Sequence, residues 1–521
     1  MVAASPISTR RPAETAPAMN ARHILLVVLD TLRRDHLSSY GYQRPTAPAL
    51  DDLAGRAALF ERAWAPAQWT LPAHASLFTG RYPSLHQLTQ AHDRLGQQHA
   101  TLAEVLQTAG WRTAAFCNNP LLAALDSGLQ RGFTHFYSYA GVARSRPTLR
   151  SRASGRAWGR LMQPVQQRGA RSSLLFRAAL RPRLAPLWTR LIRFKGDGAS
   201  SIEDLCDWYR QQRAGGADAR HFIFLNLMGA HLPWRPRRAA LGRVAPGHGP
   251  QGRRHVRRFN ARAARWTLPP EPPLTADERQ ALLDAYDAEI LQQDEQLGRL
   301  FQALERMGAL EDTQIIVVAD HGETHGERGY MGHGFGVPQE LVQAPLLVYD
   351  PAGRFPAGQR VASPVSTRRV FHTALATAGL DAPLDAALPD ADVARLDLAM
   401  AAQGNDDAER VFSEAWPPET LLALLRQRNP GLLARRRLAE PRRAMVSGRH
   451  RLLLCGEDVE ALYDTQEDPL EWRDLAPQQP QLAQRLRREM LASLPAAQQT
   501  TRGREPDAAV AGTLRALGYI E

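Results

Sequence analysis

Gln314-Ile315-Ile316-Val317-Val318-Ala319, followed at once by Asp320-His321-Gly322, is the stretch whose reading decides the fold. The apolar, β-branched run reads as a short buried strand, and it stops on two side chains that can carry chemistry. The glycine behind them is expected to let the backbone turn sharply at the sheet edge. Similar runs recur along the chain: Ile24 to Leu29, stopping at Asp30; Thr113 to Phe116; Phe222 to Leu227, with His231 shortly after; and Pro345 to Tyr349. Helical patterns alternate with them. That alternation predicts an α/β fold in which a mostly parallel sheet is covered by helices on both faces. Such sheets present their chemistry at the carboxyl ends of the strands, where Asp30, His231, Asp320 and His321 fall.

Helices are expected over Pro48 to Phe60, Leu102 to Gly110 and Ala276 to Met307, the last long and amphipathic with Asp, Glu and Gln outward. Residues 1–22 read as a flexible tail and 23–379 as the main domain. A linker rich in Ala, Asp and Pro occupies 380–409. A smaller α+β subdomain follows over 410–495, where Arg443 to Leu454 pairs as strands, Tyr463-Asp464 marks a turn and Pro480 to Ser493 is a helix; 496–521 is a tail.

The 521 residues, 23% charged and 7% aromatic, have ordinary globular composition, which excludes wholesale disorder. Three distant cysteines, Cys117, Cys206 and Cys455, exclude a disulfide framework and a thiolate metal site. Ile24 to Leu29 is too short to span a bilayer and lacks a cleavage site behind it, so a cytoplasmic location is expected. The net charge of +12 is concentrated. From Val142 to Gly196 there are thirteen Arg plus Lys195 and no acid, and a second acid-free run from Arg235 to Arg265 adds ten Arg. These two insertions, at about 142–196 and 235–265, suit acidic partners: an anionic membrane surface, met peripherally, or a polyanionic substrate. Nucleic acid is disfavoured because aromatics for base stacking are sparse, with Trp158, Phe176, Trp188 and Phe194 in the larger insertion.

A lone Asp after a strand ordinarily caps the next helix. Asp30, Asp320 and His321 together, with a hydroxyl, instead supply the oxygen-rich shell that a hard or borderline divalent cation prefers. Thr70, in Trp69-Thr70-Leu71-Pro72-Ala73-His74, precedes a helix pattern and so lies near a helix N-terminus that favours an anion; on its own it would be a plain N-cap.

Leu29 to Tyr42, Thr46 to Asp51 and Trp69 to Arg81 closely resemble the opening of sulfatase-family proteins of the alkaline-phosphatase superfamily. Asp320-His321-Gly322-Glu323, Gly326-Glu327, Gly332-His333-Gly334 and Glu340 to Leu346 resemble that family's second metal block, and Leu462-Tyr463-Asp464 with Asp468-Pro469 its C-terminal subdomain. The resemblance implies an alkaline-phosphatase-like sheet and one divalent ion, calcium, manganese or zinc. By position it makes Asp30, Asp320, His321 and Thr70 the metal-binding residues and Thr70 the nucleophile. It also makes His231 a histidine that contacts the ester and could protonate the leaving oxygen. Departures matter here. Where the family has a convertible Cys or Ser the chain has Thr70; His74 replaces an Arg, His333 a substrate-binding Lys, and Thr31 a second metal-ligating Asp. Two fixed cations have thus become imidazoles.

These features lead to a metal-dependent hydrolase that cleaves a sulfate or phosphate ester through Thr70. The alternatives are a phospho-group transferase of the phosphoethanolamine type, acting on a glycan or lipid, and a non-catalytic polyanion-binding protein.

Overall fold

The computed structural model describes residues 21–140, 145–147, 194–215, 219–261, 266–380, 393–404, 410–493 and 501–502. The tail at 1–20, most of the first basic insertion and the final residues lie outside them. In chain order the main sheet comprises β1 (His23–Leu29), β2 (Ala58–Phe60), β3 (Arg112–Cys117), β4 (His135–Ser138), β5 (His221–Leu227), β6 (Thr313–Val318), β7 (Leu346–Tyr349) and β8 (Arg360–Val361). Among the described residues these form one eight-stranded sheet ordered β8-β2-β7-β6-β1-β5-β3-β4. From β6 to β4 every neighbour is parallel, with His23 opposite both His221 and Thr313. The run ending at Tyr349 is the exception, antiparallel to both β6 and β2.

Every residue of β1 is buried, and the period-two alternation of side chains divides the strand between two cores. Leu25, Val27 and Leu29 pack with Tyr286, Ile290 and Leu297 of the long helix Ala276–Arg306. Ile24, Leu26 and Val28 pack with Leu71 and Phe78 of the helix Thr70–Thr79 and with Leu102 and Leu106 of the helix Leu102–Thr108. Fully burying each such aliphatic side chain is worth about 1.5–3 kcal/mol, which is why a strand covered on both faces reads as an unbroken apolar run.

The helices used below are α1 (Pro48–Ala54), α2 (Thr70–Thr79), α3 (Leu102–Thr108), α4 (Gly198–Ala214), α5 (Arg238–Val244), α6 (Pro250–Asn260), α7 (Ala276–Arg306), α8 (Arg369–Ala378) and α9 (Pro480–Ser493). Reciprocal capping boxes, Thr101 with Glu104 and Thr275 with Glu278, start α3 and α7. The helix expected over Pro48 to Phe60 is two elements. It ends at Ala54, capped by Gly55, because Ala58-Leu59-Phe60 is apolar enough to pair as β2 with β7 and β8.

A second, antiparallel sheet holds β9 (Val411–Ala415), β10 (Arg442–Ser447), β11 (His450–Cys455) and β12 (Asp458–Asp464), with α9 packed on it through Ala483, Leu486 and Met490. Two stretches read as linker and tail carry structure. Leu398–Ala402 is helical and buries Leu398 and Ala399 beside α8, where the Arg369 guanidinium donates to the carbonyls of Arg395, Leu396 and Asp397. Thr501–Arg502 pairs with Asp93–Arg94. All three cysteines are free and buried. No described helix is long and apolar enough to cross a membrane.

Candidate active site

The candidate ligands stand where β1 and β6 stop. Asp30 is held by its own backbone N–H, donated to the Leu227 carbonyl at the end of β5 (2.9 Å), and by Asn119, whose Nδ2 donates to Oδ2 (2.6 Å). Asp320 Oδ1 accepts from the backbone N–H groups of His321 (2.9 Å) and Thr31 (3.3 Å). His321 directs Nδ1–H to the Gly322 carbonyl (2.8 Å), which fixes the tautomer and leaves the Nε2 lone pair outward. Gly322 serves differently from expectation: its φ is not left-handed, but a Cβ there would lie 2.0 Å from the Glu340 carbonyl oxygen. Close packing, not a turn, requires the glycine.

Asp30 Oδ1, Asp320 Oδ2 and His321 Nε2 are buried and without a hydrogen-bond partner among the described residues, and ligand atoms of the three residues lie within 4.8 Å of one another. Burial, then the charge of Asp320, raises Asp30 to about 7; burial raises Asp320 to about 8. Burial, then the neighbouring His333, lowers His321 to about 4. Two buried carboxylates converging with a neutral imidazole are a donor set for a divalent metal ion.

Thr70 is the first residue of α2 and is buried. Pro72 sits in the first turn, where a missing N–H costs nothing, and Ala73 N closes the first helical bond to Trp69. His74, one turn on, places its Nδ1 2.9 Å from the Thr70 carbonyl and 3.4 Å from Asp320 Oδ2, so a single imidazole ties the α2 N-terminus to the candidate metal site. Burial lowers it to about 3. On the other side, the His333 ring lies 4.7 Å from His321 and 5.2 Å from His231. His333 Nδ1 is 2.8 Å from Glu323 Oε1; burial lowers His333 to about 4 and raises Glu323 to about 8. His231 donates Nδ1–H to the Leu232 carbonyl (2.7 Å), and burial, then His333, pushes it well below its ordinary value. All seven residues read from the sequence therefore meet in one continuous cluster.

Sequence reasoning missed Asn119 and the contribution of Thr31. Asn118-Asn119-Pro120 follows an apolar run just as Asp30 does, and that signal was available. Thr31 carries no such signal: its φ is +58°, left-handed for a β-branched residue, at a cost of about 1–3 kcal/mol. The far end of the first basic run also reaches the site. Phe194 packs its ring 5.7 Å from His231, and Lys195 Nζ lies 3.3 Å from Glu289 and 3.5 Å from the Pro233 carbonyl.

The second basic insertion leaves the site just after His231. It returns at Trp266, whose carbonyl oxygen lies 2.2 Å from where a Cβ on Gly332, beside His333, would be. Within it, α6 turns Val256 and Phe259 inward and leaves Arg253, Arg254, Arg257 and Arg258 exposed.

The family model described as Sulfatase matches residues 22–380. Steryl-sulfatase of Mus musculus is 25% identical over 432 residues, covering 73% of this chain and 66% of that protein. Phosphoethanolamine transferase EptA of Helicobacter pylori is 28% identical over 107 residues, 20% of either chain. The chain thus spans just under two thirds of the first relative and a fifth of the second. The phosphonate monoester hydrolase of Agrobacterium radiobacter superposes with a TM-score of 0.63 at 20% identity, covering 90% of this chain and 95% of that one. That likeness is one of fold.

Proposed function

Because the chain belongs to the sulfatase family, whose model matches residues 22–380, we propose that it is a metal-dependent hydrolase cleaving a sulfate or phosphate ester through Thr70. The observation that carries this reading is the convergence, beside the N-terminus of α2, of three buried atoms without a hydrogen-bond partner among the described residues: Asp30 Oδ1, Asp320 Oδ2 and His321 Nε2. A bound divalent ion would supply Lewis-acid stabilisation of the anionic group and lower the pKa of the Thr70 hydroxyl; calcium, manganese and zinc all suit this donor set.

The chain's own residues do the rest. Thr70 Oγ1 gives up its proton and bonds to the phosphorus or sulfur as the ester oxygen departs. Free N–H groups at the start of α2 favour the anion's oxygens. The proton that Thr70 gives up is taken up by the neutral His231 and His333 pair, whose rings lie 5.2 Å apart, and passed on to the leaving oxygen. Water then releases the group and restores Thr70. His74 holds the Thr70 backbone against Asp320 and so fixes the approach of nucleophile to metal site.

Transfer to an acceptor alcohol is the second reading, favoured by threonine at the nucleophile position and by the local likeness to a phosphoethanolamine transferase. For the partner side, the exposed arginines of α6 support contact with an anionic membrane surface that would present a lipid or glycan ester.

The test is turnover of matched aryl sulfate, phosphate monoester and phosphodiester substrates by metal-supplemented protein beside Thr70→Ala. Cleavage of one ester, lost by roughly 10³-fold or more in the variant with metal binding intact, is expected. A variant as active as the parent sinks the threonine nucleophile.

A further inference from the structure

Thr31 stands directly after the candidate ligand Asp30, in a backbone conformation that a β-branched residue resists. Its neighbours explain why it stays there. The Tyr286 hydroxyl, from the middle of α7, donates to the Thr31 carbonyl (2.7 Å) and accepts from the backbone N–H of Arg33 (2.8 Å), bridging the two sides of the turn. Tyr286 is itself fully buried, its ring 4.6 Å from His325 and 5.8 Å from Trp234. Arg33, the next residue but one, is anchored on Asp35 (2.6 Å) and Glu327 (2.8 Å) and donates to the Glu323 carbonyl (3.1 Å). Held this way, Thr31 turns its backbone N–H onto Asp320 Oδ1. Its own Oγ1 is buried without a hydrogen-bond partner among the described residues.

We infer that Tyr286 is a positioning residue: it clamps Thr31 in the left-handed conformation so that the Thr31 N–H orients Asp320, and it thereby sets the geometry of the metal site from the core of α7. Thr31 contributes through its backbone, not its hydroxyl. Outer partners of this kind tune a metal site because a ligand carboxylate free to rotate must be ordered when the ion binds. The inference rests on the reading of Asp30, Asp320 and His321 as metal ligands.

The experiment measures binding of manganese alone to the full-length metal-free protein, by equilibrium dialysis, for Tyr286→Phe, Thr31→Gly and the double variant. Tyr286→Phe is expected to weaken binding by roughly 10-fold or more. Thr31→Gly should bind within roughly threefold of the parent, and adding it to Tyr286→Phe should restore binding to that level, because glycine holds a positive φ without a clamp. A loss of stability alone would not be rescued in this way. Unchanged binding in Tyr286→Phe, or a double variant as weak as Tyr286→Phe, overturns the clamp. Should Tyr286→Phe not fold, Thr31→Gly decides alone, since a tenfold loss there would make the hydroxyl the contributing group. Asp320→Asn separates the inference from its premise. If that variant binds manganese like the parent, the ligand assignment has failed and the clamp with it; if it loses the ion while Tyr286→Phe does not, the clamp alone has failed.

Discussion

Asn119 touches the candidate ligand Asp30 through one 2.6 Å hydrogen bond, and no described side chain other than Asn119 donates to that carboxylate. Removing the amide frees Oδ2 to rotate and leaves a second buried oxygen without a partner. Asn119→Ala is therefore expected to weaken metal binding by roughly 10- to 100-fold while leaving the sheet intact; a metal titration unchanged from the parent would show that Asn119 plays no part in holding Asp30. At this scale the sequence is legible where chemistry is a side chain at the end of an apolar run, as with Asp30, Asp320 and His321. It is silent where chemistry is a backbone group. Thr31 reads as the loss of a ligand, yet its N–H reaches Asp320. Gly322 reads as a turn, yet what it provides is room beside the Glu340 carbonyl.

Among elements, strands buried on both faces and helices with capping boxes follow from local pattern, and β1, β3, β5, β6, α3, α7 and α9 fall within a residue or two of where the sequence puts them. β2 reads as the end of a helix because its three residues gain their reason only from β7 and β8, partners distant in sequence. The helix α6 shows a different limit. Its arginines are visible in the sequence, but that Arg253, Arg254, Arg257 and Arg258 share the outward face depends on Val256 and Phe259 packing inward. A Lys or Arg near an anionic bilayer contributes about 1 kcal/mol. Reversing Arg254, Arg257 and Arg258 to Glu should therefore reduce co-sedimentation with phosphatidylserine-containing vesicles by roughly 100-fold in partition coefficient, with no change on neutral vesicles. Equal sedimentation of parent and variant would remove the membrane from the list of partners.

The whole molecule should register the metal site in its stability. Asp30 at about 7 and Asp320 at about 8 hold protons in the metal-free folded chain that the unfolded chain, with carboxyl groups near 3.9, has already released. Between those values the folded state binds more protons than the unfolded one, so the metal-free protein loses stability as pH rises through 7 and 8. Glu323, at about 8, and Asp294, raised to about 7 by burial, act in the same direction. The buried histidines act oppositely but in a lower window. His74 near 3, and His321 and His333 near 4, favour folding as pH rises from 4 to about 6.5, above which both states are neutral and their effect is constant. The interval from pH 6.5 to 8.5 thus isolates the carboxylates. A bound divalent ion requires Asp30 and Asp320 ionised and removes their share of the slope, whereas Asp294 lies outside the site and keeps its own. The expected result is a gap in thermal midpoint between metal-saturated and chelated protein that widens most steeply near pH 6.5, by up to about 2–3 kcal/mol per pH unit in the underlying free energy, and levels off above about pH 8 as both carboxylates lose their protons. Scanning calorimetry at matched ionic strength measures it, and a gap that stays constant with pH would mean that Asp30 and Asp320 do not release protons to the metal.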